Sequence, residues 1–195
     1  GLKIKIKINE SLQDFFNIFK KKSKGLKILK KEWLNKSLIW KKKYPIVLQE
    51  HRTQKKFVNP YFFMEKLSKY LGKDDVIVAD DGAHLTWAIQ SLKVLKQQRL
   101  FSAFGNSPMG YAFPAAIGAS IALNKKKVVC IDGDGSIQIN IQELQTLVSN
   151  KLPIKIIILN NAGYGIIKQF QELYLQKRHE AVDSKKGVTN PNFSK

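Results

Sequence analysis

Two apolar runs in the second half of the chain end in side chains able to ligate a hard cation. Val128-Val129-Cys130-Ile131-Asp132 leads into Gly133-Asp134-Gly135-Ser136, and Ile154-Lys155-Ile156-Ile157-Ile158-Leu159 leads into Asn160-Asn161-Ala162-Gly163. Asp134 offers a charged oxygen, Asn161 a neutral one, and a carbonyl of the Ala162-Gly163 turn a third. Mg²⁺ takes about six oxygens at ~2.0–2.1 Å, usually one or two carboxylates completed by phosphate oxygens and water. Softer metals would call for His or Cys, and neither lies near these tips in sequence. Taken singly, Asp134 is a helix cap and Asn160-Asn161 a turn. Taken together they read as one cation site suited to holding a diphosphate.

Convergence depends on the segment between them. Ile137, Ile141, Leu144 and Val148 fall at helical spacing, predicting a helix over 137–149 with one apolar stripe. Strand, helix and strand form a βαβ unit, so the two strands are expected to be parallel neighbours. Asp134 and Asn161 then emerge at carboxyl ends, where open α/β sheets bind ligands. Gly133 and Gly135 admit close backbone approach to an anion, and a helix beginning near Ser136 would aim free N–H groups at it.

The same alternation extends along the chain, with strands or helices expected at 76–80, 83–95, 99–103, 109–123, 127–132, 137–149, 154–159 and 165–177. This is an α/β pattern, a parallel sheet with helices on both faces. Asn59-Pro60 opens a preceding helix carrying Phe62, Phe63, Leu67 and Leu71, with Gly72 as its end. Further upstream, Lys3 to Ile8 alternates as a strand, and Ser11 caps a short helix. Residues 26–42 read as a helix with Leu26, Leu29, Trp33 and Trp40 on one face, the tryptophans as packing anchors. Asp80 and Asp81 read as a turn or cap.

Net charge is +19 over 195 residues, with 17 Lys/Arg against 4 Asp/Glu in residues 1–60. Those lysines alternate with isoleucine or lie on helical faces, so they read as a solvated basic surface without a nucleic-acid recognition module. A single cysteine, Cys130, excludes a disulfide framework and reads as a small buried hydrophobe. The longest apolar stretch, Met109 to Leu123, is too short to span a bilayer and is broken by Gly110, Pro114 and Gly118. Neither a membrane nor a nucleic-acid partner is expected, and a cytoplasmic location is the default. The opening Gly-Leu and the closing Asn190-Pro191-Asn192-Phe193 read as marks of a longer polypeptide.

Four blocks carry a family resemblance: VIVADDGAHLTWAIQ (76–90), FGNSPMGYAFPAAIGASIA (104–122), VVCIDGDGSIQINIQEL (128–144) and LPIKIIILNNAGYGIIKQFQ (152–171). With Asp134 and Asn161 27 positions apart, they resemble the C-terminal, diphosphate-binding domain of thiamine-diphosphate enzymes, in particular the acetolactate synthase-like ones. The resemblance implies two parts: residues 1–58 as the tail of a middle domain plus a basic linker, and 59–195 as the cofactor-binding domain, incomplete at its C-terminus.

By position, Asp134, Asn161 and the Gly163 carbonyl would hold Mg²⁺. Gly82, Ala83, His84, Gly133, Gly135 and Ser136 would surround the diphosphate, and Ser107 is a further cofactor-binding residue. Met109 would prop the bent cofactor, Tyr164, Gly165 and Ile166 would lie beside it, and Phe170 would line the acceptor pocket. Phe170 replaces the usual tryptophan and Asn106-Ser107-Pro108 the usual residues before the methionine, departures that touch the second substrate. The glutamate that activates the cofactor belongs to the family's N-terminal domain, so no catalytic residue is expected in this chain. Thiamine diphosphate and Mg²⁺ are the implied cofactors, FAD is left open, and a 2-oxo acid such as pyruvate is the implied substrate of a homodimer or homotetramer. A related decarboxylase with another acceptor, as in surface-sugar synthesis, and a non-catalytic nucleotide-binding module remain alternatives.

Overall fold

A computed structural model describes Lys3 and residues 7–25 and 31–193. The chain divides into two compact units, Gly1–Pro45 and Ile46–Lys195. In the first, helix α1 (Leu12–Lys22) is capped by Ser11, whose hydroxyl accepts from Asp14 N at 3.1 Å. Helix α2 (Lys31–Lys43) buries no residue, and its Trp33 and Trp40 meet each other edge to face at 5.7 Å while remaining exposed. They contact one another and are not the packing anchors expected. The strand expected over 3–8 lies mostly outside the described residues, as do Leu26 and Leu29 of the helix expected over 26–42.

The second unit opens with α3 (Gln49–Thr53) and α4 (Pro60–Leu67), the latter started by Asn59, whose side chain accepts from Tyr61 N and Phe62 N. There follow β1 (Val76–Ala79), α5 (Ala83–Ser91), β2 (Arg99–Phe101), α6 (Ala112–Ala122), β3 (Val128–Gly133), α7 (Glu143–Ser149), β4 (Ile154–Leu159) and α8 (Gly165–Tyr174). All strand pairs are parallel, in the order β2-β1-β3-β4. β1 and β3 are buried at every position, which suits central strands covered on both faces.

Period-two alternation divides the core. Val76, Val78, Val128 and Cys130 pack against Phe113, Ala116 and Ile117 of α6. Ile77, Ala79, Val129 and Ile131 pack on the opposite face against Met64 of α4 and Leu85 and Ala88 of α5. The α/β class, the parallel sheet and its two helical layers are as expected.

One expected helix is broken. Residues 137–149 form a 3-10 turn, Ile137–Asn140, and then α7. Asn140 Nδ2 donates to Gly110 O at 2.6 Å and Gln138 Nε2 to Asp134 O at 2.8 Å, tying the first turn to loops instead of extending a regular ladder. The stripe consequently loses its register: Ile137 is buried, whereas Ile141, Leu144 and Val148 are exposed. α6 also starts later than position 109. The Asp80 carboxylate reaches across from the β1 tip and accepts from Gly110 N (2.8 Å) and Ala112 N (2.7 Å), fixing where the helix begins.

Asp80 is fully buried, so Asp80→Ala leaves two buried donors unpaired. A loss of ~2–6 kcal/mol is expected in urea unfolding, at roughly 1–3 kcal/mol for each of the two orphaned groups. Asp81→Ala, one residue along, should change the midpoint little.

Candidate functional site

The chain leaves β1 through α5 toward β2 on one side, and leaves β3 through α7 toward β4 on the other. Between the carboxyl ends of β1 and β3 the connections part, and such a switch point leaves a crevice. A cavity of about 1060 Å³ lies there. Gly82, Ala83 and His84 enter it from the β1–α5 loop, and Ser107 and Met109 from the segment before α6. Gly133, Asp134, Gly135 and Ser136 enter from the end of β3 and the loop after it. Asn161, Gly163, Tyr164, Gly165 and Ile166 come from the end of β4 and the start of α8. Four loops distant in sequence are thus gathered on one wall. Phe170 does not line the cavity: it is 53% exposed on α8, its ring 4.8 Å from that of Tyr174.

Local backbone form shapes this wall. Gly82 has φ +150°, and Ser107 (φ 45°) and Ala162 (φ 58°) occupy left-handed conformations uncommon for residues with a side chain. Gly135 lies beneath the Tyr164 ring, where a Cβ would stand 2.5 Å from Cε1, so only glycine permits that approach.

Asp134 is 1% exposed. Its Oδ2 accepts from Gly163 N (3.1 Å) and Asn190 Nδ2 (2.5 Å), and Oδ1 accepts a long bond, 3.4 Å, from Asn161 N. The Asn161 carboxamide turns its nitrogen inward, where Nδ2 donates to Asp134 Oδ1 at 3.0 Å and to Gly163 O at 2.6 Å. Turned over, the amide would set its oxygen beside two others, an arrangement that only a shared cation stabilises. One carboxylate, one carboxamide and one main-chain carbonyl form a hard-oxygen donor set that fits Mg²⁺.

Behind these donors lies a buried acid–imidazole group that sequence reading did not assemble. Asp80, His84 and Asp132 bring one ligand atom each within 4.8 Å of one another. Asp132 Oδ1 accepts from Gly133 N and from Ser136 Oγ, but its Oδ2 and His84 Nε2 have no hydrogen-bond partner. Burial, reinforced by the neighbouring Asp80 charge, pushes the Asp132 carboxyl up to about 7 against the pull of the Ser136 and Gly133 hydrogen bonds. Burial holds His84 below its ordinary value, opposed by Asp80 and Asp81. An acid inside an otherwise apolar strand was the available signal for Asp132. Asn190, the other functional neighbour missed, lies 56 positions from Asp134 and had none.

Residues 80–195 match the family described as "Thiamine pyrophosphate enzyme, C-terminal TPP binding domain". The chain belongs to the thiamine-pyrophosphate enzymes, and its similarity within them is to the acetolactate synthases. It is 33% identical over 188 residues to the acetolactate synthase large subunit of Porphyra purpurea, covering 96% of this chain and 31% of the relative. With the acetolactate synthase large subunit of Cyanidium caldarium it shares 37% over 161 residues, 83% of this chain and 26% of the relative. With the acetolactate synthase isozyme 2 large subunit of Escherichia coli (strain K12) it shares 37% over 130 residues, 67% and 23%. The chain therefore spans about a third or less of these relatives' length.

The raised Asp132 carboxyl gives stability a pH dependence of definite sign. Between about 4 and about 7 the folded state keeps a proton that the unfolded chain has released, so this group's contribution falls as pH rises. His84 acts oppositely: below 6.5 the unfolded chain takes up a proton that the fold resists, so acidification destabilises. Urea unfolding of the metal-free protein from pH 4 to 8 should show wild type losing ground to Asp132→Asn across that window. Parallel curves would mean that Asp132 is ionised throughout.

Proposed function

We propose that this chain supplies the diphosphate- and Mg²⁺-binding part of a thiamine-diphosphate-dependent 2-oxo acid decarboxylase or carboligase of acetolactate synthase type. The observation that carries the reading is the convergence of Asp134 Oδ1, the Asn161 carboxamide and Gly163 O at the rim of the switch-point cavity. Asp134, Asn161 and Gly163 would hold Mg²⁺. Gly82, Ala83, His84, Ser107, Gly133, Gly135 and Ser136 would surround the diphosphate. Met109, half-exposed beside the cavity, would support the cofactor's bend, with Tyr164, Gly165 and Ile166 on the substrate side. When bound, the cofactor supplies a nucleophilic carbon and an electron sink for loss of CO₂ from a 2-oxo acid such as pyruvate.

The chain's own residues bind and orient the cofactor. The half-buried Tyr164 ring over Gly135 and the buried strand tips limit water at the diphosphate end. Residues 59–195 are read as the cofactor domain and 1–58 as the end of a preceding domain with its linker. A homodimer or homotetramer in the cytoplasm is the expected setting. Among the described residues no helix is long and apolar enough to cross a membrane. The position of Phe170 outside the cavity supports a second reading, a related decarboxylase with a different acceptor.

Calorimetric titration of the full-length polypeptide with thiamine diphosphate at fixed Mg²⁺ tests this. Asp134→Ala is expected to weaken cofactor affinity at least ~10-fold, the range seen when metal-site groups are removed. Equal affinity in both proteins would remove Asp134 from the metal site. The 195 residues alone should release no CO₂ from pyruvate, and measured turnover would place the activating group within this chain.

A further inference from the structure

The segment after α8 returns to the cavity rim and is fastened there at several points. Tyr164 N donates to Val182 O at 2.8 Å, and Gly163 and Asp183 form an antiparallel bridge. Lys168 Nζ pairs with Asp183 at 3.0 Å, Val182 is 1% exposed, and Phe193 packs against the sheet core. So anchored, the strap delivers the Asn190 carboxamide to Asp134.

Its orientation is set by Gln138, whose Nε2 donates both to Asn190 Oδ1 (3.1 Å) and to Asp134 O (2.8 Å). With its oxygen thus engaged, Asn190 turns Nδ2 onto Asp134 Oδ2, which already accepts from Gly163 N. Two donors use both lone pairs of that oxygen. Oδ1 meets only Asn161, whose amide can turn to present its oxygen instead, so it is the atom open to a cation.

We propose that Asn190 is a metal-specificity residue: by occupying Oδ2 it confines Asp134 to one-oxygen coordination, which favours Mg²⁺ over Ca²⁺. Mg²⁺ requires a near-octahedral shell at ~2.0–2.1 Å, whereas Ca²⁺ accepts six to eight oxygens at ~2.3–2.6 Å and readily takes both oxygens of one carboxylate. Freeing Oδ2 opens the two-oxygen mode that only the larger ion uses well. Asn190 acts through Asp134 without touching the cation and is a positioning residue. The inference rests on the reading of Asp134 as the Mg²⁺ ligand.

The test is calorimetric titration of MgCl₂ and CaCl₂ into the full-length protein at fixed thiamine diphosphate. Asn190→Ala is expected to weaken Mg²⁺ binding by ~10-fold, the lower end for loss of an outer partner of a ligand. Ca²⁺ should weaken less, so the Mg²⁺/Ca²⁺ affinity ratio drops. Thr189→Ala, on the same strap, should leave the ratio unchanged, which separates selectivity from general loosening. Gln138→Ala, which frees the amide to turn, should shift the ratio the same way and decides the matter if the Asn190 variant folds poorly. An unaltered ratio in Asn190→Ala, with binding of both ions lost in Asp134→Ala, overturns this inference alone. Unaltered Mg²⁺ binding in Asp134→Ala overturns the metal assignment beneath it.

Discussion

A carboxylate that is 1% exposed must find its hydration replaced, and the replacement for Asp134 comes from the strand next door. The main-chain N–H groups of Asn161 and Gly163, which follow β4, point at the side chain that follows β3. Those contacts lock the two loops in the register that sets Asn161 and Gly163 O beside Asp134 Oδ1. Asp80 makes the equivalent link on the other side of the switch point, holding Gly110 and Ala112 at the start of α6. Each strand-tip acid thus joins the end of one crossover to the start of another element. Since a buried acceptor left unpaired costs ~1–3 kcal/mol or more when charged, the loops have little freedom to separate.

The electrostatics of the crevice follow from the same acids. Asp134 lines the cavity, and Asp80 and Asp132 are buried beside His84, which also lines it, on a chain whose overall charge is +19. An anionic group could not approach this wall closely on the strength of the distant lysines, because surface charge is screened within about 8–10 Å at ordinary salt. A divalent cation held by Asp134 would reverse the local sign and admit an anionic group. Burial and the Asp80 charge push the Asp132 carboxyl up to about 7, which expresses the same crowding of negative charge.

Strand positions were readable because central parallel strands must be apolar on both faces, which writes them as unbroken runs such as Val76–Ala79 and Val128–Ile131. The loops were readable because glycine and paired asparagines recur where backbone must bend or approach a ligand. Contacts made at long range were not. The break after Asn140 arises from its bond to Gly110, and the apolar spacing of Ile141, Leu144 and Val148 gave no hint of it. Trp33 and Trp40 looked like packing residues by type, yet on α2 they meet each other and Lys36 and stay exposed. Asn190 sits in a polar stretch, and only the folding back of the strap gives it a carboxylate to hold.

The cavity also exceeds the needs of a diphosphate, and its second wall indicates what else it suits. Opposite the strand tips stand Phe57, Val58, Phe63 and Trp87, apolar groups brought there by the Asn59 cap and by the packing of α4 on α5 through Met64 and Ala88. Phe57 and Val58 remain 66% and 76% exposed, so they offer apolar surface that pure solvent does not reward. A ligand matched to both walls is amphipathic, with charged oxygens at the strand tips and an uncharged ring-bearing body toward Trp87. A ligand confined to the strand tips would leave the aromatic wall wet. Residues 57–63, read from sequence as the end of a linker and the start of a helix, therefore line the site along with the glycine loops.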